Sequence, residues 1–167
     1  MERTKKTGLP PIYDRHSKVL ILGSFPSKKS REISFYYGNK QNRFWKMICS
    51  YFGEEIPEEP AEKKEFLLRH NIALWDMVTA CEIEGSADAS IQREEKANLT
   101  EIFQRTRLNG ILLNGKLAYE LFMQSYPNCP ITALKMPSTS PANPRYDEKI
   151  WKQALDTIFN VEDKKLT

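Results

Sequence analysis

Four short apolar runs punctuate the chain: Val19-Leu20-Ile21-Leu22-Gly23, Ile72-Ala73-Leu74-Trp75-Asp76, Gly110-Ile111-Leu112-Leu113-Asn114-Gly115, and residues 131–134. Each is too short for a helix and is stopped by glycine or by polar loop residues, which predicts buried strands. Between them the apolar spacing lengthens. Phe44, Met47, Ile48 and Tyr51 recur every three or four positions and predict a helix over residues 41–52. Further helices are expected over 61–70, 93–105, 116–124 and 148–159. Loops are expected over 24–39, 81–90 and 136–145, and over the acidic stretch 54–59, broken by Pro57 and Pro60. Strands alternating with helices imply an α/β class, a three-layer fold with a central, mostly parallel four-stranded sheet flanked by helices. Residues 18–160 read as a single domain, preceded by an arm at 1–17 and followed by a charged tail at 161–167.

In open parallel sheets ligands bind beyond the carboxyl ends of the strands. The loops after Leu22, Leu74, Leu113 and Leu134 are therefore where chemistry is sought. The first, Gly23-Ser24-Phe25-Pro26-Ser27 with Ser30 beyond, places small residues and exposed backbone at a strand end, where N–H groups can approach a bulky or anionic ligand. It has neither the spacing of an NTPase phosphate loop nor that of a dinucleotide fingerprint. The segment from Phe35 to Trp45 interleaves five aromatics with Lys40, Arg43 and the asparagines Asn39 and Asn42, a composition suited to base stacking beside phosphate. Phe44 and Trp45, at a helix start, are expected in the core; Asn39 can cap that helix. The loop Pro137-Ser138-Thr139-Ser140-Pro141-Ala142-Asn143-Pro144-Arg145 is stiffened by proline and lined with small hydroxyls that can press on a nucleic-acid backbone.

Charge sharpens this picture. The 167 residues carry a net charge of +3, but the first 46 hold 11 Lys and Arg against 3 Asp and Glu. A basic first third suits a phosphate backbone, since clustered cations release condensed counterions. Composition excludes other classes. No apolar run approaches a membrane span, and no apolar segment follows the basic start, so neither a membrane nor a secretory signal is expected. Cys49, Cys81 and Cys129 are scattered and odd in number, which argues against a disulfide framework or a thiolate metal site and for a reduced, cytoplasmic setting. His16 and His70 have no partner at metal-ligand spacing, and the zinc deaminase pattern and the Gly-x-Ser-x-Gly elbow are absent.

Taken together and in order, Gly23-Ser-Phe-Pro-Ser, Tyr36-Tyr-Gly-Asn, Asn42-Arg-Phe-Trp, Leu74-Trp-Asp and Pro137-Ser-Thr-Ser-Pro-Ala-Asn resemble the uracil-DNA glycosylase superfamily, and within it the hypoxanthine (deoxyinosine) branch. The resemblance spans residues 19–159. It implies a monofunctional, cofactor-free and metal-free hydrolase, expected as a monomer, acting on DNA containing a deaminated base. Such an enzyme flips the base out, because the glycosidic bond cannot be reached inside a stacked duplex. The resemblance also distributes roles. Asn42 is expected to place the water, with Asn39 as the rival. Gly23, Ser24, Phe25, Tyr37 and Asp76 are expected to hold the base, with Tyr37 stacking on it and Asp76 accepting from a purine N–H. Pro26, Ser27, Lys28, Pro137, Ser138, Thr139, Ser140, Asn143 and Arg145 are expected to grip the strand. Asn114-Gly115 is expected to be structural, with pocket contact as the lesser alternative. Phe25 occupies the place where many members of the superfamily carry a water-positioning amide or carboxylate, and Ser27 stands where relatives often have glycine. Three alternatives stay open at this stage: a uracil, mismatch or xanthine glycosylase on the same frame, a non-catalytic nucleic-acid-binding domain, and a small-molecule enzyme.

Overall fold

The computed structural model describes residues 5–160; the expected tail at 161–167 and the first four residues lie outside the described residues. Its centre is a four-stranded sheet of β2 (Val19–Gly23), β3 (Ile72–Asp76), β6 (Gly110–Asn114) and β7 (Ala133–Met136), in the order β3-β2-β6-β7. Every neighbouring pair is parallel. All five residues of β2 are buried, as a strand covered on both faces requires. Its side chains alternate between two cores. Val19 and Ile21 join Leu74 and Leu112 beneath α2 (Phe44–Phe52), α3 (Pro60–Arg69) and α6 (Glu148–Phe159), whose Phe44, Phe66 and Trp151 fill that layer. Leu20 and Leu22 join Ile111 and Leu113 beneath α4 (Thr100–Arg105) and α5 (Lys116–Ser125), which contribute Ile102, Leu121 and Phe122. The expected three layers and parallel four-stranded sheet are thus present.

Several boundaries differ. The segment expected as one loop from Ser24 to Asn39 contains a short helix, α1 (Lys28–Ile33), capped by Ser27, whose Oγ accepts from the Ser30 N–H at 3.1 Å. The fourth strand begins at Ala133, two residues later than expected, and α2 begins at Phe44. The larger correction concerns residues 78–105. A loop over 81–90 and a charged helix over 93–105 were expected. Instead β4 (Val78–Glu82) and β5 (Gln92–Lys96) form an antiparallel hairpin, and only Thr100–Arg105 is helical. Gln92–Lys96 is exposed throughout, so its charged helix-forming residues carry no apolar pattern of either period; backbone pairing with β4 decides its state. Within the segment read as an arm, β1 (Lys5–Thr7) pairs antiparallel with β4. Ile12 exchanges both backbone hydrogen bonds with Leu74 at 2.9 Å, which shields the otherwise open edge of β3.

Because the chain leaves β2 for β3 on one side and returns to β6 on the other, the strand order reverses between β2 and β6. A crevice must open there, at the carboxyl ends of those strands.

Candidate active site

A cleft of about 880 Å³ occupies that position, large enough for an extruded base. Its floor is the end of the sheet. Gly23 closes β2 with no side chain, and a Cβ there would lie 2.5 Å from Asp76 Oδ1 and 3.3 Å from the Tyr37 hydroxyl. Only glycine lets these two groups stand side by side. Asp76, paired with Gly23 across the β2–β3 ladder, is 4% exposed, and among the described residues its Oδ2 has no hydrogen-bond partner. Burial pushes its carboxyl up from 3.8 to about 7; the nearby Asp88 adds to the rise, and a backbone hydrogen bond from Gly23 opposes it. An unpartnered carboxyl oxygen in a buried floor is costly unless a ligand meets it.

One wall is the segment 35–43. Tyr36 is buried and donates its hydroxyl to the Pro10 carbonyl at 2.7 Å, so it braces the wall. Tyr37 adopts φ 53°, a left-handed conformation unusual for an aromatic residue. That backbone turns the ring into the cleft, where it stacks on Phe44 with centroids 4.3 Å apart. Asn39 and Asn42 follow on the same wall. Asn39 Oδ1 accepts from the Gln41 N–H at 2.9 Å, and Asn42 Oδ1 accepts from the Phe44 N–H at 2.9 Å. Each carbonyl oxygen keeps a second lone pair that a water can use.

The opposite wall is the proline-rich loop, held by two residues that reach it from elsewhere. Asn114, at the end of β6, donates Nδ2 to Thr139 Oγ1 at 3.0 Å and to the Tyr37 hydroxyl at 3.1 Å, while its Oδ1 accepts from the Thr139 N–H at 3.0 Å. It ties the stacking residue to the loop. Arg43 crosses from the other side. Its guanidinium donates to the carbonyls of Thr139, Ser140 and Asn143, the last at 2.8 Å, and lies 4.4 Å from the Tyr146 ring centre. Gly115, at φ 99°, packs so closely that a Cβ would sit 3.2 Å from Ser138.

The cleft brings together Gly23, Ser24, Phe25, Pro26, Ser27, Tyr37, Asn39, Asn42, Asp76, Pro137, Ser138, Thr139, Ser140, Asn143 and Arg145. Lys28 is outside the lining; it is exposed at the start of α1, and its N–H donates to Ser86 Oγ at 2.8 Å. Phe25 is 8% exposed and packs into the second core, so the side chain at this position of the first loop cannot polarise water. Three contributions go beyond the main expectations from sequence. Asn114 lines the cleft, beyond the structural part expected of it. Ser86, Ala87 and Asp88 arrive from the β4–β5 loop. Lys116 and Lys135 add two unexpected lining cations, and with the expected Arg145 they lie outside the basic first third. The asparagine ending an apolar run was the available clue for Asn114; nothing in the sequence brings residues 86–88 to Ser24. Among the described residues no group of three or more His, Cys, Asp or Glu could hold a metal ion.

Comparison with known proteins fits this arrangement. The family model described as the uracil DNA glycosylase superfamily matches residues 10–157. The chain belongs to the uracil DNA glycosylase superfamily. Two curated relatives are both named hypoxanthine DNA glycosylase. The protein from Methanosarcina acetivorans is 37% identical over 149 residues, covering 86% of this chain and 91% of the relative. The protein from Methanosarcina barkeri is 36% identical over 119 residues, covering 70% and 75%. Among solved structures, the solution NMR structure of a candidate uracil DNA glycosylase from Methanosarcina acetivorans superposes with a TM-score of 0.82 at 30% identity, covering 93% of this chain and 99% of that one. Within this chain's own cleft, the first loop carries the apolar Phe25 and the floor carries the ionisable Asp76.

Proposed function

We propose that this protein is a monofunctional DNA glycosylase that extrudes a deaminated base and hydrolyses its N-glycosidic bond, releasing hypoxanthine from deoxyinosine and leaving an abasic site. The observation that carries this reading is the floor of the cleft: a buried carboxyl with one free oxygen, beside a ring held for stacking, in a chain 36–37% identical to proteins named hypoxanthine DNA glycosylase. Bond cleavage leaves positive charge on the sugar and negative charge on the base, so preorganised dipoles and a placed water can carry it. In this reading Tyr37 stacks on the extruded purine and Asp76 Oδ2 meets its polar edge. With Phe25 unable to orient water, that task falls to the asparagine wall, and to Asn42 before Asn39. The Pro26–Ser27 turn and the Pro137–Asn143 loop hold the strand, with Arg145 beside the phosphates. DNA bearing a deaminated base is the partner, and a monomer suffices because one chain supplies the whole cleft.

The test is base release from a labelled duplex containing one deoxyinosine, run beside a uracil duplex. Hypoxanthine release by the wild type, with a loss of about 100-fold or more in Asn42→Ala, is the expected result. The same loss in Asn39→Ala, with Asn42→Ala unaffected, would transfer the role. Binding without release of either base would leave a nucleic-acid-binding domain in place of an enzyme.

A further inference from the structure

Two carboxyls from different elements converge on the cleft, and the reading above gives a task to only one. Asp76 ends β3 on the buried floor. Asp88 stands at the exposed mouth, at the start of a short 3-10 turn (Asp88–Ser90) in the β4–β5 loop. That loop is fastened to the turn after β2: Ser24 Oγ donates to Asp88 Oδ1 at 2.8 Å, the Lys28 N–H donates to Ser86 Oγ, and the Arg31 guanidinium reaches the Gly85 carbonyl. Among the described residues neither Asp76 nor Asp88 has an ion-pair partner. The groups that act on Asp76 are the Gly23 N–H from β2, Asp88 from the hairpin, and the Tyr36 and Tyr37 hydroxyls from the wall, both of which feel its charge. Of the lining cations, Lys116 is 3.9 Å from Glu120, outside the site.

Resting on the glycosylase reading, we propose that Asp88 is a positioning residue for base release: it holds the Ser24 turn and, as a second carboxylate on the same cleft, keeps Asp76 in its protonated, hydrogen-bond-donating form. The chemistry of the leaving group explains why that form is needed. When the C1′–N9 bond breaks, its electron pair goes to the purine, and an ionised Asp76 on the floor would oppose the charge developing there. A protonated Asp76 donates to it instead. Water supplies the hydroxyl that bonds to C1′ and loses a proton to solvent. The purine takes a proton from Asp76, and Asp76 regains one from solvent, so atoms and charge balance. Two carboxyls in contrasting surroundings are the usual means of keeping one protonated and the other ionised. Asp76 is buried with a free oxygen among the described residues; desolvation raises the Asp88 carboxyl as well, but Asp88 stands at the exposed mouth and accepts from Ser24, a hydrogen bond that opposes the rise and favours its charged form.

The experiment combines single-turnover release from a deoxyinosine duplex across pH with isotope-edited carboxyl NMR of Asp76, in the wild type and in Asp88→Asn. Asparagine keeps an acceptor for Ser24 and removes only the charge. In the wild type, release should fall with rising pH along a limb that matches the Asp76 titration. In Asp88→Asn both should move down by about half to one pH unit, as for one charge felt across partly hydrated protein. On the alkaline side this makes the variant about three- to tenfold slower relative to its own low-pH rate. An Asp76 titration unmoved by Asp88→Asn overturns the proposal, as does release that rises with pH through the Asp76 titration. If Asp88→Asn fails to fold, Asp88→Ser, which also keeps an oxygen acceptor for Ser24 and removes the charge, carries the same comparison, and a wild-type limb that does not track the Asp76 titration refutes the donor form on its own. A wild type that releases no base at any pH overturns the glycosylase reading itself, while the NMR arm separately reports whether the carboxyls are coupled.

Discussion

Replacing Asp76 by asparagine should make the protein more stable at alkaline pH and less stable at acid pH. The folded protein holds the Asp76 proton up to about 7, whereas the unfolded chain releases it near 3.8. The folded state therefore binds more protons across that window, and stability declines as pH rises through it. The penalty is absent below the unfolded value, grows between the two, and is complete above the folded one. The gap corresponds to about 4 kcal/mol at 1.36 kcal/mol per pH unit. Asparagine removes the titration but puts a buried amide where Oδ2 now lacks a partner, at a cost of about 1–3 kcal/mol at every pH. The variant should thus be about 1–3 kcal/mol more stable than the wild type at about pH 8 and less stable by a similar amount at about pH 4. Urea unfolding followed by circular dichroism at several pH values reads this directly. A difference of one sign and constant size across the range would refute the buried, proton-holding carboxyl, and with it the view that the free oxygen is kept for a ligand at the expense of stability.

Arg43→Lys replaces a planar fork by a point charge that cannot reach three carbonyls at once; unfolding stability should drop by about 2 kcal/mol, and DNA affinity should weaken, as read by fluorescence anisotropy at fixed salt. Unchanged affinity would remove the Pro137–Asn143 loop from the DNA contact. Gly23→Ala places a methyl against Asp76 and Tyr37; about 1–3 kcal/mol of destabilisation is expected, with base release falling much further than folded population, measured by comparing activity with the folded fraction. Asn114→Ala breaks three hydrogen bonds that join Tyr37 to Thr139; thermal unfolding should shift down, and the substrate concentration for half-maximal release should rise as the two walls lose their register.

The sequence alone determined the frame. Runs such as Val19–Gly23, alternating with helices, fit strands covered on both faces of a parallel sheet, and the spacing of Phe44, Met47 and Ile48 fits a helix facing one core, so local period and turn residues were enough to place the layers and the ends of the first three core strands. It also placed most of the cleft, because Gly23–Ser27, Tyr37–Asn42 and Pro137–Arg145 each lie within a few residues of a strand end or of the helix start that packs there. Gln92–Lys96 was beyond its reach, since an exposed charged strand owes its conformation to backbone pairing with β4 and not to its own side chains. The assembly of the site was also decided in three dimensions. Asp88 meets Ser24 across 64 positions, Arg43 meets Asn143 across 100, and Asn114 joins Tyr37 and Thr139 from a third strand. A one-dimensional pattern reports whether a residue is apolar or polar and how often that recurs. Whether a carboxyl ends on a dry floor with one oxygen free depends on which distant backbones close around it, and that is fixed only when the sheet, the hairpin and the proline loop pack together.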